Sequence, residues 1–338
     1  MKSLFFLLVA LMFVSYSTGQ NEEDYLERGQ SLFKSGKYNE AIKAYTKALK
    51  IKPDFSSAYY YRSNAKLSLS DYQGALEDIS KVVDLEPKRA EGYHSRGIVK
   101  YYMSDYKGAI TDLTIASNIG SPSLDNILLH RGYAKFKLDN HDGAIEDFTE
   151  ILKYYPDHRD AYYKRGQSKN ILKDFDGALA DYNKTIEIDS TYASPYISRA
   201  YTLYELEDYD ACISDLKKAL ALEPNNINAY YKKAYTYYLL EDYKAALEDF
   251  TRVLQLDSDN EGAYMFRGNC NRRLDNNKDA IEDYTNFISL KPNVGLAYYL
   301  RGQNNFIIGQ YDAGCSDFSK AAELGVEEAA ADIKDLCE

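Results

Sequence analysis

The chain has 338 residues, of which 45% are hydrophobic and 28% charged, an ordinary balance for a folded chain rather than a low-complexity one. Its 52 acids outnumber its 41 lysines and arginines, for a net charge of −11. That argues against general nucleic-acid binding, which needs a basic surface to neutralise phosphates. Tyrosine is abundant at 34 residues and tryptophan is absent, so a role for tyrosine has to be found.

At the amino end, Lys2 precedes an apolar run from Leu4 to Val14, and the small residues Ser17 and Gly19 stand before Gln20. This pattern predicts a cleaved secretory signal over residues 1–19, since the run is too short to span a bilayer comfortably. No later run approaches membrane length, so no membrane span is expected in the mature chain. The expected destination is the periplasm or the extracellular space, where the four cysteines meet an oxidising environment.

From residue 22 onward the sequence repeats. Tyrosines fall at Tyr25, Tyr59, Tyr93, Tyr162, Tyr196, Tyr230, Tyr264 and Tyr298, in steps of 34 apart from one of 69 in which Leu128 holds the missing place. One inserted residue, placed in Gly120-Ser121-Pro122-Ser123, accounts for the odd step. The spacing predicts nine units: 22–55, 56–89, 90–124, 125–158, 159–192, 193–226, 227–260, 261–294 and 295–328. A period of this length marks a stacked helical array.

With the marker tyrosine at position 4, positions 4, 7, 8 and 11 share one face of a first helix. Position 8 is always small (Gly29, Gly97, Gly268 and Gly302 among them), as is position 20 on a second helix (Ala41, Ala75, Cys212, Gly314), so the two helices are expected to approach closely there. Positions 20, 24 and 27 mark the buried face of that second helix. Prolines at Pro53, Pro87, Pro156, Pro224 and Pro292 close units where a helix must stop.

Period, small positions, aromatic positions and terminal prolines together resemble the tetratricopeptide repeat family, in an exported, bacterial-type setting, over almost the whole mature chain. The resemblance implies an all-α, right-handed superhelical solenoid of antiparallel helix-turn-helix repeats, with a concave face that binds a protein or peptide. The departure lies at position 7, where the family usually has leucine. Here it is Arg28, Arg62, Arg96, Arg131, Arg165, Arg199, Lys233, Arg267 and Arg301.

Position 23 supplies the counter-charge as Asp78, Asp112, Asp147, Asp181, Asp215, Asp249, Asp283 and Asp317, with Ala44 in the first unit alone. Both positions are equidistant from a turn near position 15, so in an antiparallel pair they lie at one height. Each arginine can meet the aspartate of its own unit or of the one before. An unpaired buried charge is costly, so a structural ion ladder is expected, through Arg96, Arg131, Arg165 and Arg199 with Asp112, Asp147, Asp181 and Asp215. The competing reading is a ring of cations for an anionic ligand.

The opposite face of the first helices is rich in aromatic residues. Tyr163, Tyr201, Tyr204, Tyr231, Tyr235 and Tyr238, followed by Asn269, Arg272 and Arg273, are the candidate partner-binding set, because tyrosine joins apolar area to a polar tip at low ordering cost. The family's carboxylate-clamping subtype has lysine at position 5, and no unit here does. No phosphate loop, nucleophile elbow or metal-ligand spacing is present, so no enzyme activity, cofactor or metal is expected. His94 and His130 share the groove face, on helices expected about 10–20 Å apart. The expected function is an exported scaffold holding a partner segment. The alternatives are a self-associating envelope component and a carbohydrate-binding solenoid.

Beyond Leu324-Gly325, Val326, Ala330, Ile333 and Cys337 follow one helix face, which predicts a capping helix over 326–338. Cys315 replaces the Ile or Leu of position 21 and stands eleven residues before Val326, as Cys337 stands eleven after. The two are expected at one height, within reach of a disulfide, with Cys212 and Cys270 free. The alternative is four buried thiols.

Overall fold

The computed structural model describes residues 21–120 and 123–337. The expected signal segment, and Ser121 and Pro122 of the insertion turn, lie outside these residues. Among the described residues the structure has nineteen helices and no strand. They form two compact units divided between Ser168 and Lys169.

The first unit contains helices α1 (Glu22–Lys34), α2 (Tyr38–Ile51), α3 (Ser56–Ser68), α4 (Tyr72–Leu85), α5 (Ala90–Tyr102), α6 (Tyr106–Ile119), α7 (Leu124–Lys137), α8 (His141–Tyr154) and the first part of α9 (Arg159–Ile171). The second contains the rest of α9, then α10 (Phe175–Ile188), α11 (Ala193–Glu205), α12 (Tyr209–Leu222), α13 (Ile227–Leu239), α14 (Tyr243–Leu256), α15 (Glu261–Arg273), α16 (Asn277–Leu290), α17 (Gly295–Ile307), α18 (Tyr311–Glu323) and α19 (Glu327–Leu336). Within each unit, helices pack in sequential pairs, α3 on α4 and α13 on α14 for example, and each pair packs on the next.

The turn inside each pair is built the same way. The residue at position 15 takes the left-handed conformation, as Ser70, Ser104, Glu207, Glu241 and Asp275 do at φ between 58° and 62°. The next residue caps the second helix: Asp71, Asp105, Asn140, Asp174, Asp208 and Asp242 each accept a hydrogen bond from the backbone N–H three residues on. In the first and ninth pairs the capping acid is lost to Lys37 and Gln310, and the left-handed residue becomes Gly36 and Gly309, for which that conformation is unstrained.

The core is a file of position-24 side chains, from Tyr45, Ile79, Leu113 and Phe148 in the first unit to Leu216, Phe250, Tyr284 and Phe318 in the second, each at most 1% exposed. These rings explain the small residue at position 8. A Cβ on Gly268 or Gly302 would stand 2.8 Å from the Tyr284 or Phe318 ring. The close approach expected between positions 8 and 20 is therefore only part of the account: the space left at position 8 is taken by the side chain at position 24.

Candidate functional site

The ladder repeats down both units. Six arginines are paired with the aspartate sixteen residues on, in their own helix pair: Arg62 with Asp78 at 2.6 Å, Arg96 with Asp112 at 2.7 Å, Arg131 with Asp147 at 2.6 Å, Arg199 with Asp215 at 2.6 Å, Arg267 with Asp283 at 2.6 Å and Arg301 with Asp317 at 2.6 Å. Most of these are two-pronged, with Nε and Nη2 engaging the two carboxylate oxygens, the geometry that makes arginine rather than lysine the fitting cation. The remaining Nη1 donates to the preceding pair: Arg62 to Thr46, Arg131 to Thr114, Arg165 to Thr149, Arg267 to Thr251 and Arg301 to Thr285. One side chain thus holds its own pair closed and fastens it to its neighbour.

Position 11 completes the arrangement, which inspection of positions 7 and 23 alone misses. Lys66, Lys100, Lys135 and Lys169 reach Asp78, Asp112, Asp147 and Asp181 at 2.7–2.9 Å, one turn beyond the arginine position. In the last two pairs Asn271 and Asn305 donate to Asp283 and Asp317 instead. The signal was present as a lysine at period 34. These acids are buried between donors and are committed to the fold.

The opposite face of the first helices is where uncommitted chemistry lies. In the second unit, α11, α13 and α15 present Tyr201, Tyr204, Tyr231, Tyr235 and Tyr238, all half-buried, around Phe266. The Phe266 ring lies 4.9 Å from Tyr235, 5.4 Å from Tyr238 and 6.5 Å from Tyr231. Phe266 was not among the expected binding residues, and it is the hub of the cluster.

Cations are set among these rings. Lys232 Nζ sits 3.8 Å from the Tyr204 ring centre and 4.7 Å from that of Tyr201, and burial lowers its pKa. Arg273 lies 5.9 Å over Tyr243, and Arg272 has a buried Nε without a hydrogen-bond partner. Among the described residues no carboxylate is within ion-pair distance of Lys232, Arg272 or Arg273. Asn269 is partly committed, since its Oδ1 accepts the Tyr284 hydroxyl at 2.8 Å.

In the first unit the same face is organised differently. Tyr163, expected as a binding residue, is only 8% exposed, and its hydroxyl accepts from Gln167 at 3.0 Å, so it offers little contact area. Lys164 sits instead against the Tyr133, Phe136 and Tyr163 rings at 5.3–5.9 Å. The His94 and His130 rings are 6.4 Å apart, and both nitrogens that bond go to Asn126. Among the described residues no group of three or more His, Cys, Asp or Glu is placed to hold a metal.

Cys315 on α18 and Cys337 at the end of α19 form a disulfide with Cα atoms 5.8 Å apart, while Cys212 and Cys270 are buried free thiols.

Paired helices, small close-contact positions and an aromatic face on the first helix of each pair define a helical-repeat array. Models of the tetratricopeptide repeat match residues 129–193, 193–226 and 227–260, and a TPR repeat model matches 29–69. The chain belongs to the tetratricopeptide repeat family. It is similar to the C-terminal part of a TPR repeat-containing protein from Cytophaga hutchinsonii, at 21% identity over 70% of this chain and 97% of that one, with a TM-score of 0.59. It is also similar to YrrB, described as a TPR protein with an unusual peptide-binding site, at 21% identity over 57% of this chain and 98% of that one (TM-score 0.50). MamA matches at 26% identity over 49% of this chain and 91% of that one (TM-score 0.47). No curated protein matches the sequence.

Proposed function

We propose that the protein is an exported interaction scaffold that holds an extended or helical segment of a partner protein on the face of α11, α13 and α15. The observation that carries this reading is the set of half-buried tyrosines with Lys232, Arg272 and Arg273 among them, cations without acidic partners among the described residues. A partly desolvated cation held over rings is poised for an external carboxylate. The partner segment therefore carries acids beside apolar or aromatic anchors. No catalytic group is required.

The experiment is replacement of Tyr201, Tyr235 and Tyr238 together by alanine, with partner capture and helix content measured on the same preparation. Lost binding with helix content intact supports the site. Lost helix content assigns the rings to the core and removes the site. Amino-terminal sequencing of the protein secreted by its producing cell tests export, with a mature start at Gln20 expected.

A further inference from the structure

The ladder has one rung without its acid. In the first helix pair Ala44 replaces the aspartate, and Arg28 has no ion-pair partner among the described residues. Later arginines also rest on the tyrosine three residues before them, as Arg62 does on Tyr59 at 5.5 Å and Arg199 on Tyr196 at 5.7 Å. In the first pair that place is taken by Lys47, 5.3 Å over Tyr25. What remains is a cavity of about 230 Å³ lined by Tyr25, Arg28, Leu32, Lys43, Ala44 and Lys47, with Glu40 its one acid.

We infer that this vacant rung receives a carboxylate from outside the chain, and that its occupant is helix α19 of a second copy. Two observations choose the occupant. First, the arginine face of a first helix is the face that meets the second helix of the preceding pair elsewhere, shown by the bonds from Arg62 to Thr46 and from Arg131 to Thr114. A helix is the shape it fits. Second, α19 packs one side on Phe318 and Ala321 and leaves Glu327, Glu328 and Asp335 exposed on the other, with Leu336 53% exposed beside them. An acidic helix with an apolar neighbour meets a cavity with three cations and an apolar floor. Asp24, in the acidic first turn of α1, is engaged by its own cap residue Asn21, so it does not close the rung. A carboxylate placed against Arg28 reproduces the arrangement that Asp78 or Asp215 makes within the chain.

The test is sedimentation velocity of the mature chain over a range of concentrations, at low and high ionic strength. Mass should rise with concentration at low salt and fall back at high salt. Ala44→Asp supplies the missing acid internally; it should keep the helix content and weaken self-association about tenfold or more. Glu328→Gln with Asp335→Asn on α19 should do the same without touching the cavity. A chain that stays monomeric at every concentration overturns the proposal, as does association indifferent to both changes. Acetate that shifts the Arg28 Nε resonance in a monomeric chain would assign the cavity to free carboxylates instead, and overturns the second copy as occupant.

Discussion

Arg199 donates from Nε and Nη2 to the two carboxylate oxygens of Asp215, at 2.7 and 2.6 Å, while its third nitrogen bonds Asn183 of the preceding helix pair. No lysine stands at position 11 here, where Leu203 replaces it, so Asp215 depends on this arginine more than Asp78, Asp112 or Asp147 depends on its own. Arg199→Leu should destabilise the second unit by about 3 kcal/mol, because a buried carboxylate is left without its cation. Arg199→Leu with Asp215→Leu should recover much of that loss. Arg131→Leu should cost less, since Lys135 still holds Asp147 at 2.9 Å. Denaturant midpoints for the singles and the double settle it; additive losses in the Arg199 cycle would deny the coupling.

Glu207 and Glu241 hold left-handed backbone at φ 61° and 58°. A side chain there carries about 1 kcal/mol of strain. Glycine removes it but gains freedom in the unfolded chain, which returns about half of the benefit. Glu207→Gly and Glu241→Gly should each raise stability by about 0.5 kcal/mol. A fall in the thermal midpoint of either variant would mean the side chain contributes more than its backbone costs.

Denatured without reductant, the mature protein should titrate two thiols, those of Cys212 and Cys270, because Cys315 and Cys337 are bonded. In the folded state even these two should react slowly, since burial pushes the Cys270 thiol up to about 12 and raises that of Cys212. Reduction should increase amide exchange in α19 and leave α11–α15 unchanged. Four thiols in the denatured, unreduced protein would exclude the bridge.

Acidification should weaken the first unit. Burial lowers the pKa of His94 and His130 below the usual 6.5 in the folded chain. The unfolded chain therefore binds more protons, and stability is lost as pH falls below about 6.5 towards the folded values. The bonds to Asn126 and, at His94, nearby Asp125 and Glu91 oppose the shift without reversing it. Exchange protection in α5 and α7, followed from about pH 7.5 to 5.5, should fall in the wild type and stay flat in His94→Gln/His130→Gln. Equal slopes in the two proteins would assign the effect to other groups.

The architecture was legible because it is written nine times: a period, two small positions and a matched charge pair leave little choice of fold. Pairing within each helix pair also followed from equal distance to the turn, although the sequence left the preceding unit's aspartate open as a partner. Less visible were features that need side-chain direction. Position 11 shares a face with position 7, yet nothing in the pattern assigns Lys100 and Lys135 a role until one turn of helix brings them over Asp112 and Asp147. Tyr163 and Tyr231 both stand at position 5, yet one is buried and the other borders the Phe266 ring, because that depends on which ring the neighbouring helix offers. Phe266, on the face of α15 at position 6, is not in the expected binding set, and only its distances to Tyr235 and Tyr238 reveal it as a hub.

A second rung is built differently, on α13, the middle helix of the three that carry the aromatic cluster. At α13 the arginine is Lys233, which makes a single contact to Asp249 at 3.1 Å, and the residue facing it from the preceding pair is another cation, Lys217, held against Tyr237. Where Arg267 and Arg301 bond a threonine of the preceding pair, this junction is joined by Lys217 against Tyr237 and by Cys212 beside Thr236. Since α13 carries Tyr231, Tyr235 and Tyr238, the central helix of the aromatic face is joined to α12 through a lysine on a ring, while its flank at α15 is joined through a guanidinium bond to Thr251. The helix that presents most of the tyrosines is thus tied to its neighbour by a flexible point charge rather than by a planar fork.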